Sequence, residues 1–99
     1  MDIVKASESG IARAVECLRR GEFVGLPTET VYGLAADAGS DIAVARIYAA
    51  KGRPQFNPLI AHVASPGMAT SEAVFDERAQ RLAARFWPGP LTLVLPVAP

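Results

Sequence analysis

Residues 23–34, FVGLPTETVYGL, contain the two features that decide the fold of this 99-residue chain. The first four form a short apolar run that Pro27 ends, because proline cannot donate a backbone hydrogen bond to a neighbouring strand. Such a run predicts a buried β-strand. The next segment, residues 28–38, is rich in hydroxyl and small side chains and is predicted to be an irregular loop. Loops at strand ends often hold ligands in α/β sheets, so this junction is a candidate functional site.

A helix is predicted before this strand, over residues 8–20. Its apolar residues recur at the spacing of one helix face: Ile11, Ala14, Val15 and Leu18. Arg19 and Arg20 complement the negative end of the helix dipole, and Gly21 suits a left-handed cap. We therefore interpret the two arginines as a helix-ending device in preference to a phosphate site.

Further helices and strands alternate after the loop. A helix is predicted over residues 41–50, an ambiguous short one over 68–74, and a third from Asp76 to the Trp87-Pro88 pair. Two more β-rich runs occupy residues 58–63 and 91–95. Helices that alternate with short apolar strands predict the α/β class, with helices packed against a sheet.

Composition narrows the class of protein. Ten basic side chains balance ten acidic ones, so no overall field draws the chain to nucleic acid or to an anionic membrane. Cys17 is the one cysteine, which excludes an internal disulfide and favours a reducing compartment. No apolar stretch reaches the roughly 18 residues of a membrane span, and the start lacks the pattern of a signal peptide. These features predict one domain over residues 1–99, a cytoplasmic location and no membrane partner.

Three clusters carry residues suited to chemistry. The first, PTETVYGL at residues 27–34, offers hydroxyls, a carboxylate and a phenol that suit a small polar ligand. From the residues alone, an ordinary turn with local hydroxyl-to-backbone hydrogen bonds is the more frequent outcome. The third cluster, WPGPLT at residues 87–92, is interpreted as structural, with Trp87 anchoring the helix end.

The second cluster places two cations close together. Lys51 and Arg53 follow each other at a helix end, where they either complement the helix dipole or share an anion. Pro54 and Pro58 restrain the chain between Arg53 and Asn57, which favours a phosphate chain as the ligand. His62 lies in an apolar run, where a buried core histidine is more frequent than a catalyst. Neither a metal-ligand spacing nor a common glycine-rich phosphate loop occurs.

Taken together and in this order, the strings PTETVYGL, KGRPQFNPLIAHV and FWPGPLTLVL resemble the YrdC-like family, which includes the threonylcarbamoyl-AMP synthases. The match covers nearly the whole chain from Phe23 onward. The resemblance implies a twisted open α/β sheet of mixed strand direction with flanking helices. It implies an enzyme that joins L-threonine, bicarbonate and ATP, with Mg²⁺, into threonylcarbamoyl-AMP and pyrophosphate for a tRNA modification.

The resemblance also implies roles for residues of the first two clusters. Thr30 and His62 correspond to the threonine pocket, with Tyr32 and Glu29 as further contributors. Lys51, Arg53 and Asn57 correspond to the residues that meet ATP. Of these, Lys51 and Arg53 would be catalytic, because they stabilise charge that grows on the phosphate oxygens. No protein-held metal is expected.

Some alternatives remain open at this stage. The chain is expected to be a domain incomplete at its carboxyl end, because a Ser-x-Asn segment that completes the family's nucleotide site does not follow Leu95. Exposed sheet edges and apolar faces would then predict a homodimer. Binding of tRNA or double-stranded RNA without catalysis is a second hypothesis, and a carbamoyltransferase-type domain is a third.

Overall fold

The computed structural model describes residues 2–52, 54 and 58–99, which fall in two compact units, Met1–Pro58 and Leu59–Pro99. The elements are, in chain order, α1 (Glu8–Arg19), β1 (Val24–Leu26), β2 (Gly33–Ala35), α2 (Asp41–Lys51), α3 (Pro66–Glu72) and α4 (Glu77–Phe86). The helices predicted over residues 8–20, over 41–50 and after Asp76 are confirmed, with ends that agree to within one residue.

Local capping fixes both ends of α1. The Ser7 hydroxyl accepts a hydrogen bond from the Gly10 amide at 3.2 Å, which satisfies one of the free amides of the first turn. At the other end Arg20 is the cap residue and forms an ion pair of 3.3 Å with Glu22, which raises the pKa of Arg20 through a hydrogen bond and through its charge. Gly21 follows with φ of 81°. The helix-ending interpretation of Arg20 and Gly21 is therefore confirmed.

The first unit contains a β-hairpin. Strands β1 and β2 pair antiparallel, with Val24 opposite Ala35 and Leu26 opposite Gly33. The strand predicted over FVGL is confirmed for Val24–Leu26, but its predicted burial is wrong, because Leu26 is 37% exposed. The loop predicted over residues 28–38 is wrong for Gly33–Ala35. Glycine and alanine have low strand propensity, but hydrogen bonds to β1 stabilise this strand. Intrinsic propensity does not include that contribution.

Helix α2 is buried along one face and is joined to the turn that follows α1. Its buried side chains are Ala43 and Ile47, which are 0% and 4% exposed. The Ser40 hydroxyl caps its start, and Gly52 ends it in the left-handed conformation, with φ of 60°. Arg46 Nη1 donates to the Gly21 carbonyl oxygen at 2.7 Å. This charge-assisted hydrogen bond holds α2 to the end of α1.

The second unit is built around two helices and the last residues of the chain. Ala69 of α3 and two residues of α4, Ala79 and Ala83, are buried. The Val74 amide donates to the Pro96 carbonyl at 2.8 Å, within an isolated antiparallel bridge. The final segment therefore lies beside the end of α3.

The strands predicted over residues 58–63 and 91–95 are wrong. In the described part of the chain the sheet consists of β1 and β2, and neither segment joins it. Ile60 and Val94, at their centres, are 62% and 95% exposed. Apolar β-rich sequence becomes a strand only where a neighbouring strand accepts and donates the backbone hydrogen bonds.

Trp87 confirms the structural interpretation of the third cluster. Its ring meets Phe75 edge to face, with centroids 6.1 Å apart and an interplanar angle of 74°. Its indole Nε1–H donates to the Leu91 carbonyl oxygen at 2.9 Å. The side chain therefore fastens the end of α4 to the segment that follows the PGP sequence.

Gly89 allows a test of the tight connection that follows α4. A Cβ atom at Gly89 would lie 2.6 Å from the Phe86 carbonyl oxygen, so the backbone has to move to admit it. We expect Gly89→Ala to lower the free energy of unfolding by about 2 kcal/mol, as measured by urea denaturation of the full-length protein. Gly25→Ala adds the same methyl group where no atom lies within 4 Å. Equal stability of the two variants would contradict the prediction.

Among the described residues, no helix combines the length and the apolar character needed to cross a membrane.

Candidate functional site

The hydroxyl-rich part of the first cluster forms the connection between β1 and β2, over residues 27–32. The Thr28 hydroxyl donates to the Val31 carbonyl oxygen, and it accepts from the amides of Val31 at 3.2 Å and Thr30 at 3.4 Å. These are the local hydroxyl-to-backbone bonds expected of an ordinary turn. The turn is therefore ordered by one of its own side chains.

The same turn exposes its remaining polar groups. Glu29 and Thr30 are exposed, and Tyr32 is 80% exposed. Thr30 Oγ1 lies 3.4 Å from Thr28 Oγ1. A hydroxyl, a phenol and a carboxylate that face solvent over four residues can hydrogen-bond a small polar ligand. The turn geometry and a ligand role are thus compatible.

Thr28 is the residue whose role the sequence analysis missed. By residue type Thr28 is one more hydroxyl of the cluster, whereas in the structure its hydroxyl forms the hydrogen bonds that order the turn. The available signal was its position directly after the strand-ending Pro27, because threonine there favours a bond to the backbone two or three residues later.

Lys51 lies at the carboxyl end of α2, as predicted. It is the last helical residue, its side chain is exposed, and the Gly52 amide after it donates to the Ala49 carbonyl at 3.3 Å. A cation here complements the helix dipole and is also accessible to an anionic ligand. Arg53 and Asn57 lie outside the described residues, so their grouping with Lys51 stays a prediction.

His62 belongs to the second unit and is exposed, so the interpretation as a buried core histidine is wrong. Within that unit, the described residues around His62 form no strand. Its Nδ1 lies 3.3 Å from the Ile60 carbonyl oxygen. Because a carbonyl can only accept, Nδ1 is the donor in this contact.

The candidate residues of the three clusters that the structure describes lie outside two surface depressions. A depression of about 360 Å³ lies at the start of α4, where Asp76 and residues of the helix line it. Another, of about 410 Å³, is lined by Ala38 and by residues of α2. The candidate side chains of the three clusters line neither depression. Across residues 2–52, 54 and 58–99, no three side chains of His, Cys, Asp or Glu are grouped so that they could hold a metal ion.

Comparison with known proteins decides the family. A family model for the Sua5, YciO and YrdC proteins, described as telomere recombination, matches residues 16–99. The chain belongs to this family. The resemblance carried by the three sequence strings is therefore confirmed.

Relatives within the family share much of this sequence. The chain is 48% identical over 99 residues to the threonylcarbamoyl-AMP synthase of Bacillus subtilis, which covers 99% of this chain and 29% of the relative. It is 52% identical over 93 residues to that of Pyrococcus abyssi, which covers 93% of this chain and 27% of the relative. The chain thus spans less than a third of the length of these two relatives.

A solved structure of the family has the same fold. The structure of P. abyssi Sua5 in complex with L-threonine matches with a TM-score of 0.88 and 51% sequence identity, over 96% of this chain and 28% of that one. This match confirms the predicted α/β class. The paired strands described here are antiparallel, with helices before and after them in the chain.

Proposed function

We propose that the protein carrying this chain is a threonylcarbamoyl-AMP synthase, an enzyme that joins L-threonine, bicarbonate and ATP and releases pyrophosphate. The observation that carries the proposal is the identity of 48% over 99 residues with a relative of that name, a region that includes all three clusters. Nucleotidyl transfer to the carbamate of threonine is the reaction class that follows.

The first step concerns threonine. The solved relative with L-threonine bound supports this amino acid as the substrate. We assign its recognition to Thr30 and Tyr32 on the turn and to His62 in the second unit. Hydroxyl, phenol and imidazole groups supply partners for the ammonium, hydroxyl and carboxylate of the ligand. A site built this way rejects an amino acid without the hydroxyl, because its own polar groups would be left unpaired.

The second step concerns the phosphates. Bicarbonate and the threonine amine form a carbamate with loss of water, and a carbamate oxygen then attacks the α-phosphorus of ATP as pyrophosphate leaves. Charge develops on the phosphate oxygens, so the catalytic contribution of Lys51 and Arg53 is electrostatic stabilisation and alignment. Arg53 suits bidentate binding of phosphate, and the Asn57 amide orients ATP without neutralising it.

Magnesium enters as part of the nucleotide substrate. Mg²⁺ is held through substrate phosphates with few protein ligands in many ATP-using enzymes. Bound to ATP, the ion neutralises phosphate charge; the chain's own residues then position the carbamate and the α-phosphate.

The cellular setting is proposed from the same family membership. The product would serve the threonylcarbamoyladenosine modification of tRNA in the cytoplasm. A homodimer and a single domain that continues beyond residue 99 remain predictions.

Binding of double-stranded RNA without catalysis has less support. Three arginines of the described part already lie in ion pairs: Arg13 with Asp2, Arg20 with Glu22 and Arg81 with Glu77. With a formal net charge of zero, backbone-driven affinity for a polyanion would be weak. A steep loss of RNA affinity with rising salt would favour this alternative.

The test is pyrophosphate release by the full-length protein with ATP, Mg²⁺, bicarbonate and L-threonine, with the adenylate identified by mass spectrometry. We expect release to depend on both threonine and bicarbonate. Arg53→Ala should lower the rate by about 100-fold, because it removes a donor to the developing charge. Arg78→Ala, which removes an exposed arginine of α4, is the control and should retain activity. Pyrophosphate release at the same rate with and without L-threonine would overturn the proposed function.

A further inference from the structure

We propose that Thr28 is a positioning residue for the threonine site, an inference that rests on the proposed function. Its hydroxyl orders the turn and thereby holds the Thr30 hydroxyl in the position where it meets L-threonine.

The direction of each hydrogen bond follows from the partners. The Val31 carbonyl can only accept, so the single proton of the Thr28 hydroxyl is given to it. The amides of Thr30 and Val31 can only donate, so they occupy the acceptor side of the same oxygen, at 3.4 and 3.2 Å. The proton of Thr28 is thereby committed inside the turn.

Thr30 is the group that this arrangement holds in place. Its amide nitrogen and its Oγ1 each lie 3.4 Å from the Thr28 oxygen. The Thr28 oxygen therefore contacts both the backbone and the side chain of Thr30, which sets where the Thr30 hydroxyl is presented. A hydroxyl both donates and accepts, so Thr30 suits the ammonium, the hydroxyl or the carboxylate of L-threonine.

The hairpin holds the turn from both sides. Leu26 pairs with Gly33 where β1 and β2 meet, so the six residues between them start and end at fixed points. Within that span Thr28 makes the bonds that set the path to Thr30 and Val31. Removal of its hydroxyl leaves the strands paired but releases the turn, so the loss falls on ligand binding.

The experiment measures the Kd for L-threonine by calorimetry on the full-length protein and three variants. Thr28→Val keeps the shape and removes the hydroxyl, and we expect about tenfold weaker binding. Thr28→Ser keeps the hydroxyl and should stay within about twofold of wild type. Thr70→Val is the matched control. Thr70 lies in α3, and its Oγ1 likewise donates to a backbone carbonyl three residues away, that of Gly67 at 3.0 Å.

A double-mutant cycle tests whether Thr28 acts through Thr30. Adding Thr28→Val to Thr30→Val should weaken binding by less than about twofold further, because the group that Thr28 orients is already gone. Thr28→Ala repeats the measurement if the valine variant loses its melting transition. Wild-type affinity in both Thr28→Val and Thr28→Ala, or a full tenfold loss on the Thr30→Val background, would overturn the inference. A wild-type protein that binds no L-threonine would overturn the proposed function itself, which is a separate result.

Discussion

Replacement of Lys51 by alanine is expected to lower kcat/KM for adenylate formation by about 100-fold, the usual cost of removing one donor to a developing oxyanion. Lys51 ends α2 with its side chain exposed, so its removal takes no packing from the core. The loss should therefore appear in the rate of pyrophosphate release while the melting temperature stays close to that of wild type. The measurement is steady-state pyrophosphate release as ATP and threonine are varied in turn.

The chain offers a matched control for this variant. Lys5 is its other lysine and lies before α1, so Lys5→Ala removes the same charge away from the second cluster. Lys51→Arg keeps the charge in a planar group and should recover part of the activity. If Lys51→Ala and Lys5→Ala were equally active, Lys51 would be a helix-ending cation and nothing more.

The largest effect on stability is expected at Trp87. Trp87→Ala removes the edge-to-face contact with Phe75 and the hydrogen bond from Nε1 to the Leu91 carbonyl at 2.9 Å. We expect the free energy of unfolding to fall by about 3 kcal/mol, at the lower end for such truncations because the indole is only half-buried. Urea denaturation of the full-length protein, followed by circular dichroism, gives the value.

Trp87→Phe separates the two contributions. Phenylalanine keeps a ring beside Phe75 but has no N–H for the Leu91 carbonyl, so a loss of about 1 kcal/mol is expected. An alanine variant as stable as the phenylalanine variant would mean that the ring contact contributes nothing. Unchanged stability in both would refute the anchoring role.

The helices were predictable because their signals are local. Ser7, Ser40 and Asp76 each accept a hydrogen bond from an amide three residues later. Serine and aspartate are preferred at helix starts, so the sequence alone indicates this role. Strands depend on a partner elsewhere in the chain. The run at residues 91–95 has the composition of a strand but pairs with no strand in the described part of the chain. Gly33–Ala35 pairs with β1 although its composition does not favour a strand.

The residue types of the candidate site were predictable from the sequence, whereas their exposure and their contacts were less so. The motifs indicated hydroxyls near a strand end and a cation at a helix end, and Thr30 and Lys51 lie in such places. Exposure of His62 was not predictable, because it depends on whether the surrounding run joins a sheet. The bonds by which Thr28 orders the turn depend on a local geometry that residue types do not specify.

The small side chains buried in both units also bear on how stability responds to temperature. The buried apolar residues of the described part are Ile47 and four alanines, Ala43, Ala69, Ala79 and Ala83. The heat-capacity change of unfolding grows with the apolar area that becomes hydrated, and alanine contributes little of it. The buried residues of this stretch therefore add little to the curvature of the stability curve, and most of that curvature comes from larger side chains that are only half-buried here.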